Sequence, residues 1–379
     1  MKKFIEIHVI QNFAPSNLNR DDTGAPKDAF FGGRRRARIS SQCLKHAVRE
    51  YFKDKNVAWF ANRSKRIIDE IKAKLDKKLK GCSDEDIFKA IEAAISCIGE
   101  GAKKVKVVKD KKTGQLKTDV LLFLSNEEID ALAVAIEESY KTLLKVKIPS
   151  EVSKKITGAL AGKEDKSSLT LDIALFGRMI AVMPEKNQYA ACQVAHAIST
   201  HAVDREFDFY TAIDDLKPED IPGSDMMGTV EFNSACFYRY TVVDFEKLVD
   251  NLQKDNELAL SGLRAFLEGF IVSEPTGKQN TFAAHNPVEY VVISVRKSGA
   301  PRNLANAFEV PVRVKGEESL TIKSVKCLDE KYKKLTGAYG DEGKAFFMDI
   351  TDSGVKIGEE KKSLNELLDV VINEVEREV

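Results

Sequence analysis

Three consecutive signals in the first 52 residues restrict the fold: an alternating apolar run, a glycine-broken basic loop and a serine-capped helix. Ile5, Ile7 and Val9 share one strand face with Phe4, Glu6, His8 and Ile10 on the other, so the chain opens as a β-strand. Asn19 to Arg49 then holds eight Lys or Arg against three Asp, net +5, with Gly32 and Gly33 beside an arginine cluster. Ser40 or Ser41 is placed to cap a helix over Ser41 to Phe52, accepting from amides that a helix start leaves unpaired. On a helical wheel Leu44, Ala47, Val48 and Tyr51 form an apolar stripe, while Gln42, Lys45 and Arg49 gather roughly 140° away. One face docks on a core and the other meets an anion. No G-K-[ST] ends the loop, so the expected anion is a polymer backbone and not a nucleotide. The plainer alternative is a solvated arginine patch.

Strand patterns return at Thr229 to Val243 and Glu289 to Arg296, with a helical pattern at Phe245 to Val272. The expected architecture is an α+β sheet with helices on one face. Between about residues 61 and 180 the pattern changes to amphipathic runs, Arg63 to Leu79, Asp84 to Ile98 and Asn126 to Leu144, which read as a helical insertion. Inside it, Ala102 to Thr118 is a lysine-rich hairpin or loop, read as solvated surface ahead of nucleic-acid contact. Residues 190–199 read as helix-like, and Thr200 to Met227, punctuated by Pro218, Pro222 and Gly223, as an extended loop or hairpin.

Lys plus Arg and Asp plus Glu are both 59, so net charge excludes no partner and only its distribution is informative. The six cysteines are scattered without a C-x-x-C pair and read as reduced thiols of a cytoplasmic protein. No apolar run approaches the roughly 18 residues of a membrane span, so no membrane is expected. His196 and His201 are spaced against shared metal ligation, and neither H-E-x-x-H nor G-x-S-x-G occurs. The pairs Asp21-Asp22 and Asp214-Asp215 offer Mg²⁺ ligands in principle, although adjacent acids more often cap turns or pair with arginine. No catalytic residue, cofactor or metal is expected.

Several blocks stand in a familiar order: N-R-D-D at residues 19–22, K-D-A-x-F-G-G-x-R-R-x-R-I-S-S-Q-x-L-K at 27–45, AHAISTHAVDREFDFYTAIDD at 195–215, GTVEFNSACFYRY at 228–240, GKQNTFAAHNP at 277–287 and ANAFE at 305–309. Together they resemble the CasC family, the repeated backbone subunit of type I-E CRISPR Cascade complexes. The likeness is weakest over about residues 55–165 and after Val314. It implies a modified RNA-recognition-motif, ferredoxin-like palm (residues 1–60, a palm helix at 181–199, and 229–379), helical fingers (61–180) and a thumb β-hairpin (200–228).

The resemblance further implies a non-catalytic subunit that polymerises along CRISPR RNA and leaves the spacer free to pair with a target DNA strand. Implied partners are neighbouring copies, the 5′-end cap, the 3′-end processing endonuclease, the large and small subunits, and a recruited helicase-nuclease. The RNA-contact candidates are Arg20, Lys27, Arg34, Arg35, Arg38, Ser40, Ser41, Gln42, Lys45, Arg49, Lys278 and Gln279. Phe209 and Tyr210, adjacent aromatics in an acidic segment, are candidates for base stacking or for anchoring a neighbouring protomer. Met179 and Met227 fall at family positions that wedge apolar side chains beside displaced nucleotides. Two other readings stay open: a metal-dependent ribonuclease using loop aspartates, and a monomeric RNA chaperone.

Overall fold

The computed structural model describes residues 3–56, 59–99, 104–162, 169–212, 226–340 and 343–377. In chain order these form β1 (Phe4–Ser16), β2 (Asp28–Phe31), β3 (Arg34–Ile39), α1 (Ser41–Lys55), β4 (Asn62–Ser64), α2 (Ile67–Lys78), α3 (Asp84–Ile95), β5 (Val107–Lys109), β6 (Leu116–Thr118), β7 (Leu122–Leu124), α4 (Asn126–Leu143), α5 (Ser150–Gly158) and α6 (Leu171–Phe176). They continue as β8 (Cys192–Val194), β9 (Ala197–Ser199), β10 (Glu206–Ala212), β11 (Met226–Asp244), α7 (Phe245–Asn251), α8 (Asn256–Val272), α9 (Gln279–Phe282), β12 (Tyr290–Arg296), α10 (Leu320–Tyr339), β13 (Gly343–Asp349), β14 (Glu359–Glu360) and α11 (Leu364–Glu376). Two compact units result: a sheet unit of Met1–Tyr51, Cys192–Glu246 and Leu260–Val379, and a helical unit of Phe52–Ala191 with Lys247–Ala259.

In the sheet unit the strand order is β14-β13-β12-β1-β11-β9-β3-β2, with β8 and β10 also paired to β11. β1 lies antiparallel between β11 and β12, with Ile7 opposite Thr241 on one side and Ile293 on the other. With α1 following β1, and α8 between β11 and β12, the centre has the 4-1-3-2 order of a split β-α-β ferredoxin-like core.

Helices cover both faces of this sheet, not one as expected. On one face Ile10, Tyr238, Tyr240, Tyr290 and Val292 pack with Phe308, Val325 and Leu328, the last two from α10. On the other, the buried Arg239 guanidinium lies 4.7 Å over the Phe270 ring of α8 and donates to the Phe270 carbonyl and Gln11 Oε1. Glu6 and His8, which alternate as if facing water, are buried because polar partners meet them there. Tyr240 donates to Glu6 at 2.9 Å, Arg296 lies 3.5 Å from it, and the Tyr238 hydroxyl is 2.9 Å from His8 Nδ1. The tyrosines of β11 are therefore closed off from any ligand of the sheet face.

Burial, with the Arg296 charge adding to it, pushes His8 down to about 3. An unfolded chain takes up this proton near pH 6.5, so unfolding gains a proton as pH falls below that value. Stability attributable to His8 is full above the unfolded pKa and declines by about 1.4 kcal/mol per pH unit below it. Denaturant unfolding between about pH 4 and 6 is expected to show a shallower acid loss for His8→Gln than for the parent; equal slopes would show that His8 is not kept neutral.

Residues 190–199, expected as helix, fold instead as β8 and β9. Thr241 to Val243 of β11 pair with β8, and Phe237 and Tyr238 with β9, so open ladder positions outweigh the weak local helix preference. The hairpin expected over 200–228 is formed by β10 and the start of β11, paired from Glu206 opposite Phe232 to Ala212 opposite Met226. Met226 to Gly228 begin β11, and Asp214, Asp215, Pro218, Pro222 and Gly223 lie outside the described residues.

The helical unit has its own core, in which Ile67, Ile71 and Leu75 of α2, Ile87 and Ile91 of α3, and Leu132 and Ile136 of α4 are buried together. The run expected as helix from Arg63 begins as β4 and becomes helical at Ile67. The lysine-rich segment is a two-stranded hairpin of β5 and β6, where Lys117 pairs with Asp110 at 2.5 Å.

Candidate nucleic-acid interface

The arginines around Gly32 and Gly33 divide by what holds them. Arg36 is fully buried and donates to four backbone carbonyls: Ser199 at 3.0 Å, Thr200 at 3.1 Å, Phe308 at 2.7 Å and Glu309 at 3.2 Å. Those last two carbonyls close the ANAFE block, so the motif is the seat of a structural arginine. Gly32 makes the approach possible, since a Cβ there would overlap the Glu309 carbonyl. Arg35 pairs with Asp28, which Arg205 also meets at 2.9 Å. Arg38 donates to the Asp28 carbonyl at 3.0 Å and lies 3.2 Å from His196 Nδ1. Arg20, Lys27 and Arg34 form no ion pair among the described residues, and Arg20 and Arg34 are exposed.

α1 starts where the sequence places it. Ser40 Oγ accepts from the Cys43 amide at 3.3 Å, and the Ser40 amide donates to Asn19 Oδ1 at 2.9 Å, tying the helix start to the loop that carries Arg20. Leu44, Val48 and Phe52 are buried. Tyr51 packs on Gly269 of α8, where a Cβ would sit 2.8 Å from its ring. Gln42 is exposed, and Ser41, Lys45 and Arg49 are half-buried.

Two side chains register the field of this surface. His196, between β8 and β9, is pushed below its usual pKa, by burial first and then by the Arg38 and Lys27 charges. Cys192 on β8 is pushed up to about 12 by burial, with Lys45 pulling the other way. Lys27, Arg38 and Lys45 thus act on one patch at β8, β9 and the start of α1. A field that resists a proton there favours a phosphate, and the α1 N-terminus adds its amides and dipole.

Lys278 caps α9 and Gln279 begins it, and the segment before them is pressed against the β1–β2 loop, for a Cβ on Gly277 would overlap the Leu18 carbonyl. Lys278 is left-handed at φ 53°, and Gln279 Nε2 donates to the Pro275 and Ala284 carbonyls, each at 3.2 Å. With Arg20 to Gly24 and His46, Pro275 to Gly277 line an open cleft of about 620 Å³.

On the hairpin, strand alternation separates the adjacent aromatics. Phe209 shares a face with Phe207 and Met227, and these three are 64%, 66% and 66% exposed. Tyr210 points to the opposite face and lies over Gly228, whose missing side chain leaves it room. Phe207 was not singled out in the sequence; period-2 counting from Phe209 finds it. Met179 belongs to the helical unit and is 77% exposed.

Arg313 was also missed. It stands outside the quoted motif blocks, and its segment is held near the β2–β3 turn by the docking of residues 308–309 on Arg36 and by the Val312 amide, which donates to the Thr200 carbonyl at 2.9 Å. Arg34 and Arg313 line one cleft of about 290 Å³ with His201, Ala202 and Pro311, and Arg313 forms no ion pair among the described residues.

Asp21 is occupied structurally. Asp21 Oδ1 accepts from the Thr23 hydroxyl at 2.7 Å, the Thr23 amide at 2.9 Å and the Ala25 amide at 3.0 Å, which hold the carboxyl below its usual range, the hydroxyl foremost. Among the described residues no three His, Cys, Asp or Glu side chains are grouped to hold a metal.

A family model for CT1975-like proteins matches residues 5–372. Among solved structures, one chain of a "CRISPR RNA-guided surveillance complex, pre-nicking" is 30% identical, with a TM-score of 0.86 over 98% of this chain and 99% of that one. A chain of a "CRISPR RNA-guided surveillance complex" is 27% identical, with a TM-score of 0.76 over the same shares. No curated protein sequence matches. Since the family match runs through both units and leaves out only the extreme ends, the chain belongs to the CT1975-like protein family, the CasC family that its sequence blocks resemble.

Proposed function

We propose that the protein is a non-catalytic CRISPR RNA-binding subunit that polymerises along the guide RNA as the helical backbone of a type I-E Cascade surveillance complex. The observation that carries this reading is the surface of α1, β3 and the β1–β2 loop, where Arg20, Lys27 and Arg34 form no ion pair among the described residues, in a chain that aligns from end to end with chains of RNA-guided surveillance complexes. The α1 amides and the cations hold phosphates, which positions the RNA without reading its sequence. Base pairing with the target strand supplies specificity, while the protein supplies shape and charge. Phe209 and Met227 on the hairpin, and Met179 on the helical unit, wedge apolar surface beside displaced nucleotides where neighbouring copies meet. The other Cascade subunits complete the particle, and a recruited helicase-nuclease cuts the DNA.

Mass photometry and negative-stain microscopy of the protein with a processed CRISPR RNA test this. Several copies per RNA, in particles whose size tracks RNA length, are expected. A single copy per RNA at saturation refutes the filament and favours the chaperone reading.

The ribonuclease reading fares worse because Asp21 and Asp28 are committed to a turn and to Arg35 and Arg205. With Mg²⁺ the RNA is expected to stay intact, and Asp21→Ala, Asp22→Ala and Asp28→Ala to leave that unchanged. Cleavage by the parent that one of these variants abolishes would replace the proposal.

A further inference from the structure

Met179 is 77% exposed, yet its neighbours Arg178 and Ile180 are both 4% exposed. A lone methionine raised from a buried backbone needs something to hold that backbone, and the helical unit provides it. Arg178 and Gln188 exchange backbone hydrogen bonds in both directions at 2.9 Å, closing residues 178–188 into a loop. The Ile180 amide donates to Asn187 Oδ1 at 2.6 Å. Gly177 enters at φ +78°, and a Cβ there would meet the Ala190 nitrogen and Gln188 oxygen at 2.9 Å. Only glycine fits that entry without strain.

Beneath the loop lies an ion pair with both side chains fully buried, Arg178 with Glu128 at 2.7 Å. Arg178 also donates to the carbonyls of Phe123 at 3.2 Å, Ala161 at 2.8 Å and Lys186 at 3.3 Å. Glu128 is the third residue of α4 and is locked in a capping box with Ser125. It accepts from the Ser125 amide at 2.9 Å and the Ala161 amide at 2.8 Å. Arg178 Nε finds no partner among the described residues, but the remaining hydrogen bonds leave the pair one geometry, while a buried ion pair adds little net stability over an apolar one. That geometry is the seat of Met179.

We infer that Glu128, Arg178 and Asn187 are positioning residues that hold Met179 rigidly outward, so that it inserts beside RNA without paying to order its own loop. The inference rests on the proposed role of Met179 and adds the network that presents it.

The test is a set of double-mutant comparisons on the full-length protein, reading apparent RNA affinity by titration and folding by thermal melting. Met179→Ala is expected to weaken assembly on RNA roughly tenfold. Asn187→Ala removes only the Ile180 acceptor; it is expected to weaken assembly severalfold while melting stays near the parent's. Arg178→Lys keeps the charge but loses the fork geometry and is expected to weaken assembly as much as Met179→Ala. If Arg178→Lys does not fold, Asn187→Ala carries the test. Asn187→Ala combined with Met179→Ala is expected to bind no worse than Met179→Ala alone, because a mispositioned side chain that is already absent has nothing further to lose. The inference is overturned if the two losses multiply, if Asn187→Ala binds as the parent does, or if Met179→Ala has no effect. A parent protein that forms no multi-copy assembly on RNA fails the functional proposal instead, before any variant is compared.

Discussion

Replacing Lys45 and Arg49 together by alanine is expected to weaken RNA binding about a hundredfold, by a similar factor for guides of unrelated sequence. On the proposed reading each half-buried cation on α1 would give phosphate a charge-assisted hydrogen bond worth about 1.5 to 3 kcal/mol, so losing two would cost about 3 kcal/mol or more. In the proposed mode these contacts go to the RNA backbone, which carries no sequence information. The slope of log affinity against log salt should flatten by roughly 0.7 for each lost single-strand phosphate contact. Filter binding at several salt concentrations, with two guides of unrelated sequence, measures both quantities. A loss confined to one guide would mean that this helix face reads bases.

Arg36→Ala is expected to have the largest effect on folding, although Arg36 sits among the cations proposed for RNA. Its guanidinium satisfies four carbonyls drawn from Ser199, Thr200, Phe308 and Glu309. Truncation strands those acceptors and opens a cavity, at a cost of about 4 kcal/mol. For a unit of this size that corresponds to roughly 8 to 16 °C in melting temperature. Arg36→Lys should recover little, since an ammonium cannot span the same fork. Arg34→Ala next to the turn is the contrasting case: its side chain is exposed and forms no ion pair among the described residues, so stability should change by less than about 0.5 kcal/mol while RNA affinity falls. Calorimetry paired with RNA titration separates the two arginines, and an Arg36→Ala protein melting with the parent would refute the assignment.

This contrast shows where reading the chain succeeds. Alternation marked β1, and a serine followed by 3.6-residue periodicity marked α1, because both signals are local. The run Arg34, Arg35, Arg36, Arg38 declared a basic site but could not say which arginine is spent inside the protein. Their partners come from residues 199–200 and 308–309, far away in sequence.

By itself the sequence determined the α+β class, the helical insertion, the cationic loop leading into a capped helix, and the family, since propensity, periodicity and ordered motif blocks belong to short stretches of chain. Tertiary structure alone decided three things. It turned residues 190–199 into strands, because β11 had unpaired ladder positions to fill. It buried Glu6, His8 and Tyr238 under a second helical layer, where polar partners from β11, β12 and the residue 302–304 segment compensate them. And it placed Arg313 beside Arg34, where it did not stand out in the chain. Each depends on which distant group supplies a missing hydrogen bond or apolar neighbour, and a buried polar group must have one or its burial costs more than the fold can bear.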